Sequence, residues 1–164
     1  MQNGREEMTE DEIVQKVAEI ARLEDLPAPV GPDVIEEVEE AIGFPLPSLL
    51  KRLYLEAANG GFGPEEGILG APGGEWNGDW SDIIDIHNAI QDDEDDTTPP
   101  YFVWIYEWGC GIWSLIDCRD PSGPMWAWDP NDGIENAAFP TGMNFTQWMT
   151  RALSDILDIP ERTV

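Results

Sequence analysis

The chain sets 34 Asp and Glu against only 8 Lys and Arg, a formal net charge of -26. Most of its carboxylates therefore have no cation to pair with and must face water, because burying an unpaired ionised group is prohibitively costly. Any fold has to hide its apolar residues behind a surface of one sign. Apolar residues make up 41% of the 164, with 8 Trp, too many for a disordered acidic tail. A chain of this length suits one domain that buries a core without covalent staples. The charge excludes direct binding to nucleic acid or to an anionic membrane, which needs clustered Lys and Arg. It favours solubility and steering toward a basic partner, or adaptation to high salt.

Met1 to Thr9 are polar and acidic and lack the basic start and apolar stretch of a secretion signal. With no run of about 18 apolar residues to span a membrane, the expected location is the cytoplasm. Cys110 and Cys118 are the only cysteines, and the expectation is a pair of buried free thiols.

Hydrophobic periodicity and capping signals divide the chain. Thr9-Glu10-Asp11-Glu12 has the form of a capping box opening a helix, with Ile13, Val17, Ile20 and Ala21 at helical spacing up to Leu26-Pro27-Ala28-Pro29. Pro32 opens a second helix with Ile35, Val38 and Ile42 on one face and Glu36, Glu37 and Glu40 on the solvated other, closed by Gly43. A third starts near Ser48, carries Leu50, Leu53, Tyr54 and Ala57, and ends at Asn59-Gly60-Gly61. From Phe62 to Asn77 the Gly and Pro content predicts an irregular, mobile loop, with a short strand at Ile68-Leu69. Ser81 or Asp79 can cap a fourth helix of about 11–15 residues holding Ile83, Ile84, His87 and Ile90. Asp92 to Asp96 end it, an unfavourable charge for a helix C-terminus.

The second half changes character. Tyr101–Tyr106, Ile112–Asp117 and Met125–Trp128 are rich in aromatic and β-branched residues and punctuated by Gly109-Cys110-Gly111 and Asp120-Pro121-Ser122-Gly123, the pattern of an antiparallel meander. Trp126 and Trp128 should share a face. Asn144 or Thr141 can cap a last helix with Phe145, Trp148, Met149, Ala152 and Ile156 inward. The expected fold is α+β: an antiparallel sheet of about four to six strands flanked by N-terminal and C-terminal helices.

The helix Val34–Gly43, the following Leu46-Pro47, the Tyr54 helix and Asn59-Gly60-Gly61 resemble the opening of the SMI1/KNR4 (SUKH) family. The strands with Gly111 and Ile116-Asp117, the turn at Gly123 and the Phe145–Trp148 helix follow in the family's order. The resemblance runs over about Gly31 to Leu157, which divides the chain into an acidic helix and linker (1–30) packing on an SMI1/KNR4-like domain (31–160). It implies an α+β binding domain. Bacterial members commonly act as immunity proteins that neutralise toxins, many of them nucleases, and fungal relatives act in cell-wall and signalling regulation. The resemblance carries over no catalytic motif and no cofactor. Glu39, Gly43, Leu46, Pro47, Tyr54, Asn59, Gly60, Gly61 and Asp117 match its recurrent residues as caps, turns and core positions.

Enzyme readings find little support in the residues. His87, the only histidine, lies on an apolar stripe with no nucleophile motif nearby, and no pair of carboxylates is singled out by spacing. Asp129–Glu135 alternates oxygen donors around Gly133, but its glycine is one position early for a calcium loop and Pro140 stands where the closing Glu belongs, so it reads as a turn. Partner contacts are expected where local rules are broken without benefit to the fold. Two stretches qualify: Glu75, Trp76, Asp79 and Trp80, with tryptophans beside carboxylates on a Gly-rich segment, and Asp92, Asp93, Glu94, Asp95 and Asp96. One helix should separate them by about 20 Å, within the width of one interface. The expected function is neutralisation of a cognate bacterial toxin, a basic protein of nuclease type, through this acidic, tryptophan-bearing surface. The alternatives are a SUKH scaffold or regulator and, as a third class, an acidic hydrolase or sugar binder.

Overall fold

In the computed structural model, which describes residues 7–65, 67–133 and 137–161, the first helix starts at the expected capping box. The Thr9 hydroxyl accepts from the Glu12 amide at 3.1 Å, and the Glu12 carboxylate accepts from the Thr9 amide at 2.9 Å. Helix α1 (Glu10–Glu24) buries Ile13, Val14 and Val17, while Ile20 and Ala21 reach only the rim of the core. Helix α2 (Pro32–Ile42) has Pro32 in its first turn and ends at Gly43, whose φ of 88° is the left-handed closure expected there. Helix α3 (Ser48–Glu56) buries Leu49, Leu50, Leu53 and Tyr54. Each such side chain contributes about 1.5–3 kcal/mol on leaving water.

Helix α4 (Ile83–Asp92) is capped by Asp82, whose carboxylate accepts from the Asp85 amide at 2.8 Å. This corrects the expected cap at Ser81 or Asp79. Ser81 instead donates its amide and its hydroxyl to Asp85, both at 3.1 Å. The helix is 10 residues long and buries Ile83, Ile86 and His87, with Ile84 and Ile90 half-buried.

The meander follows as β1 (Phe102–Gly109), β2 (Ile112–Asp117) and β3 (Pro124–Trp128). A fourth strand, β4 (Ala138–Asn144), completes an antiparallel sheet in the order β1-β2-β3-β4, so the α+β expectation stands. The three sequence runs of the expected meander do not include the segment around Pro140. In β4 Pro140 sits at the sheet edge, where a missing amide costs no ladder bond. Helix α5 (Phe145–Leu153) is capped by Asn144 rather than Thr141, and it stops before Ile156. The β1–β2 hairpin turns through Cys110 and Gly111 at φ 55° and 78°, the two left-handed positions such a turn demands. Cys110 is thereby exposed, contrary to expectation, while Cys118 is buried.

Strand register sorts the aromatics. Trp113 pairs with Trp128, Leu115 with Trp126, Trp104 with Leu115 and Phe102 with Asp117, so these side chains share one face. Rings from β1 and β3 meet across β2, Phe102 with Trp126 at 5.0 Å and Trp104 with Trp128 at 5.1 Å, and Leu115 between them is fully buried. Trp126 and Trp128 do point the same way and are half-buried. On the opposite face Tyr106 meets Trp148 of α5, and the Trp108 indole donates to the Ser114 hydroxyl at 2.9 Å. α1 packs on α3 and α5, and α2 on α3 and α4.

Candidate functional site

The segment between α3 and α4 was expected to be mobile, but its first part is buried. Gly67 to Ala71 are buried, and no strand forms at Ile68-Leu69: one bond, from the Leu69 amide to the Ile105 carbonyl at 2.9 Å, ties them to β1. Asn59 organises the segment. Its side-chain oxygen accepts from the Ala71 amide at 2.7 Å, and its side-chain nitrogen donates to the carbonyls of Ala71 at 3.1 Å and Pro72 at 3.4 Å. The Tyr54 hydroxyl donates to the Leu69 carbonyl at 2.6 Å, and burial holds that phenol protonated far above its ordinary range. Gly60, at φ 88°, is needed for close approach as well: a Cβ there would lie 2.7 Å from the Gly70 amide nitrogen and 2.9 Å from Glu75 Cβ.

The chain then emerges. Asn77 and Trp80 exchange backbone bonds of 3.0 and 2.9 Å around Gly78, whose φ of 57° suits the first central position of a two-residue turn. The two tryptophans of this turn part company. Trp76 is 68% exposed, whereas Trp80 is half-buried against the core. Glu75 is half-buried and Asp79 exposed.

The acidic run lies at the far end of α4. Asp92 is the last helical residue and Asp93 its cap, and Asp92, Asp93, Glu94 and Asp95 are exposed. Asp93 accepts from the Asp95 amide at 2.9 Å, and Asp96 accepts from the Thr98 amide at 2.7 Å, so two of the five carboxylates also build the local turns. The two stretches stand at opposite ends of a 10-residue helix, roughly 15 Å apart along its axis and not in contact.

His87 is buried in α4, with Nε2 2.8 Å from the Pro100 carbonyl and no partner on Nδ1, a packed position rather than a cleft. Asp117 is buried and held by the Arg119 guanidinium at 2.8 Å, which stacks 3.8 Å over the Tyr101 ring. Burial pushes the Cys118 thiol up to about 12, leaving it protonated and unreactive. Asp129 caps a short 3-10 turn (Pro130–Asp132) by accepting from Asn131, while Ile134 and Glu135 lie outside the described residues. Among the described residues no group of three or more His, Cys, Asp and Glu could hold a metal ion, and no helix is long and apolar enough to cross a membrane.

The sequence pattern does not single out Leu23, an apolar residue off the stripe of α1 that is 82% exposed. Compared with known families, the chain matches the model described as the SMI1 / KNR4 family (SUKH-1) over residues 29–151. No curated protein matches it.

Proposed function

We propose that this chain, which belongs to the SMI1/KNR4 (SUKH-1) family, is an immunity protein that captures a basic toxin, of nuclease type, and blocks it by occupation rather than by catalysis. One observation carries the reading: the exposed Trp76 lies within a stretch from Leu53 to Cys118 that contains no Lys or Arg and 14 Asp or Glu. Beyond that stretch Lys51, Arg52 and Arg119 are engaged by the protein's own carboxylates. A one-signed surface with an aromatic tip suits a polyanion-binding partner: long-range attraction speeds encounter and a desolvated ring slows release.

Glu75, Trp76 and Asp79 form one border of the proposed interface and Asp92, Asp93, Glu94, Asp95 and Asp96 the other. Trp80 supports the turn from below. The test asks first whether a basic toxin domain is encoded beside this gene, and then measures the binding kinetics of the two proteins across a salt series. Association should slow steeply as salt rises, since exposed charges are screened beyond about 10 Å at 0.1 M. A salt-insensitive on-rate for a tightly bound pair would sink the electrostatic reading. Stability that itself collapses at low salt would assign the acidity to high-salt adaptation.

A further inference from the structure

Three Asn-Gly pairs occur in the sequence, and two of them, Asn59-Gly60 and Asn77-Gly78, lie among the described residues. They share one chemical liability. The carboxamide carbon of Asn lies within reach of the next residue's amide nitrogen, and Gly, having no side chain, leaves that nitrogen open to attack. What separates the two pairs is how each is held. Asn59 is 2% exposed, its carboxamide is bonded to Ala71 and Pro72, and its carbonyl accepts from the Glu75 amide. The backbone of Gly74 packs directly over Asn59 Cγ, leaving no room for a Cβ. Asn77 is half-buried and Gly78 exposed, with nothing within 4 Å of the place a Cβ on Gly78 would take. Among the described residues neither the Asn77 carboxamide nor the Gly78 amide has a hydrogen-bond partner. The turn is held by an isolated bridge, the paired backbone bonds between Asn77 and Trp80, so it can open without unravelling a sheet.

We infer that Asn77 is a site of spontaneous deamidation, and that burial spares Asn59 the same fate. This stands independently of the toxin-binding reading. The Gly78 amide nitrogen gives its proton to water and bonds to the Asn77 carboxamide carbon, whose nitrogen leaves as ammonia, and the product is a cyclic imide. Water then adds to one of the two imide carbonyls and breaks that carbonyl's bond to the Gly78 nitrogen. Opening at the side-chain carbonyl leaves Asp, and opening at the main-chain carbonyl leaves a β-linked aspartate. The whole change consumes only water. In the β-linked product the former main-chain carbonyl of Asn77 is a free carboxylate and the chain is longer by a methylene, so the bridge to Trp80 no longer closes. Half-buried Trp80 then loses the turn that holds it, and either product adds a negative charge beside the exposed Trp76.

The experiment incubates the full chain at mildly alkaline pH in water enriched in heavy oxygen, with and without urea, and maps its peptides by mass spectrometry. Without urea, Asn77 should convert at least about tenfold faster than Asn59, because reaction at Asn59 waits for an opening that breaks its buried bonds. In urea the two rates should draw level. The new carboxylate should carry the heavy oxygen, and the β-linked form should accompany Asp, the mark of a cyclic imide. In the converted fraction the Trp80 amide should exchange hydrogen faster than in the parent, while the Gly67–Ala71 amides stay protected. Asn77→Gln, whose longer side chain closes a less favourable ring, should melt like the parent and show no conversion at that position. If Asn77 stays as slow as Asn59 in the folded chain, the bridge alone keeps the carboxamide from Gly78 and the inference is overturned. Conversion to Asp with no β-linked form would mean direct hydrolysis, and would equally overturn the route through Gly78.

Discussion

The connectors on either side of α4 are both irregular in backbone and are held in opposite ways. The one before it, from Asn59 to Ala71, is held from within by Asn59 and Tyr54. The one after it, from Asp93 to Pro100, is held by its own aspartates through bonds spanning two residues and is mostly exposed. Glycine and proline in the first permit close backbone approach to the core, and aspartate in the second satisfies amides locally while leaving charge in water. Irregular backbone is stable in either setting if its polar groups find partners. What differs is where the partner comes from, and hence how far a single substitution reaches.

Asn59→Ala should cause the largest loss. It strands the Ala71 amide and carbonyl in the interior, at about 1–3 kcal/mol for each unsatisfied group, and denaturant unfolding should show a loss of about 2–4 kcal/mol. A loss below 1 kcal/mol would erase the contrast between the connectors. Tyr54→Phe removes one buried bond to the same segment and should cost about 1–2 kcal/mol, with faster hydrogen exchange confined to the Gly67–Ala71 amides. Asp96→Ala should cost about 0.5–1 kcal/mol through the Thr98 turn, with no change in exchange of the Gly67–Ala71 segment. Asp92→Asn should be the smallest effect and opposite in sign, a gain of about 0.3–1 kcal/mol in thermal melts at low salt, because it removes a negative charge from a helix C-terminus. A destabilised Asp92→Asn would show that the run contributes to the fold, and would weaken its assignment to a partner.

Local signals were legible wherever the residue and its partner are close in sequence. The Thr9–Glu12 box, the Gly43 closure and the Cys110-Gly111 hairpin each declare themselves within a few positions. β4 was not read as a strand, because Pro140 and Gly142 weaken strand propensity and only the neighbouring β3 compensates. The buried path of the glycine-rich connector was hidden for a related reason: its anchors, Asn59 and Tyr54, lie 12 and 15 residues away from the groups they bind. The Glu75–Trp80 stretch was visible as an anomaly, but nothing in its sequence tells which tryptophan is packed. That depends on how Asn77 and Trp80 pair across Gly78.

The bond from the Met8 amide to the Thr150 hydroxyl spans 142 residues. During synthesis at about 5–20 residues per second, roughly 7–30 s separate the appearance of these two groups. Throughout that interval the stripe of Ile13, Val14 and Val17 waits without the α5 surface that will cover part of it. α3, translated soon after α1, covers part of that stripe early, and the part that faces α5 waits until the sheet has been made. The first-turn carboxylates Glu10 and Asp11 meet Arg52 of α3, so this end of α1 has a partner well before α5 is translated.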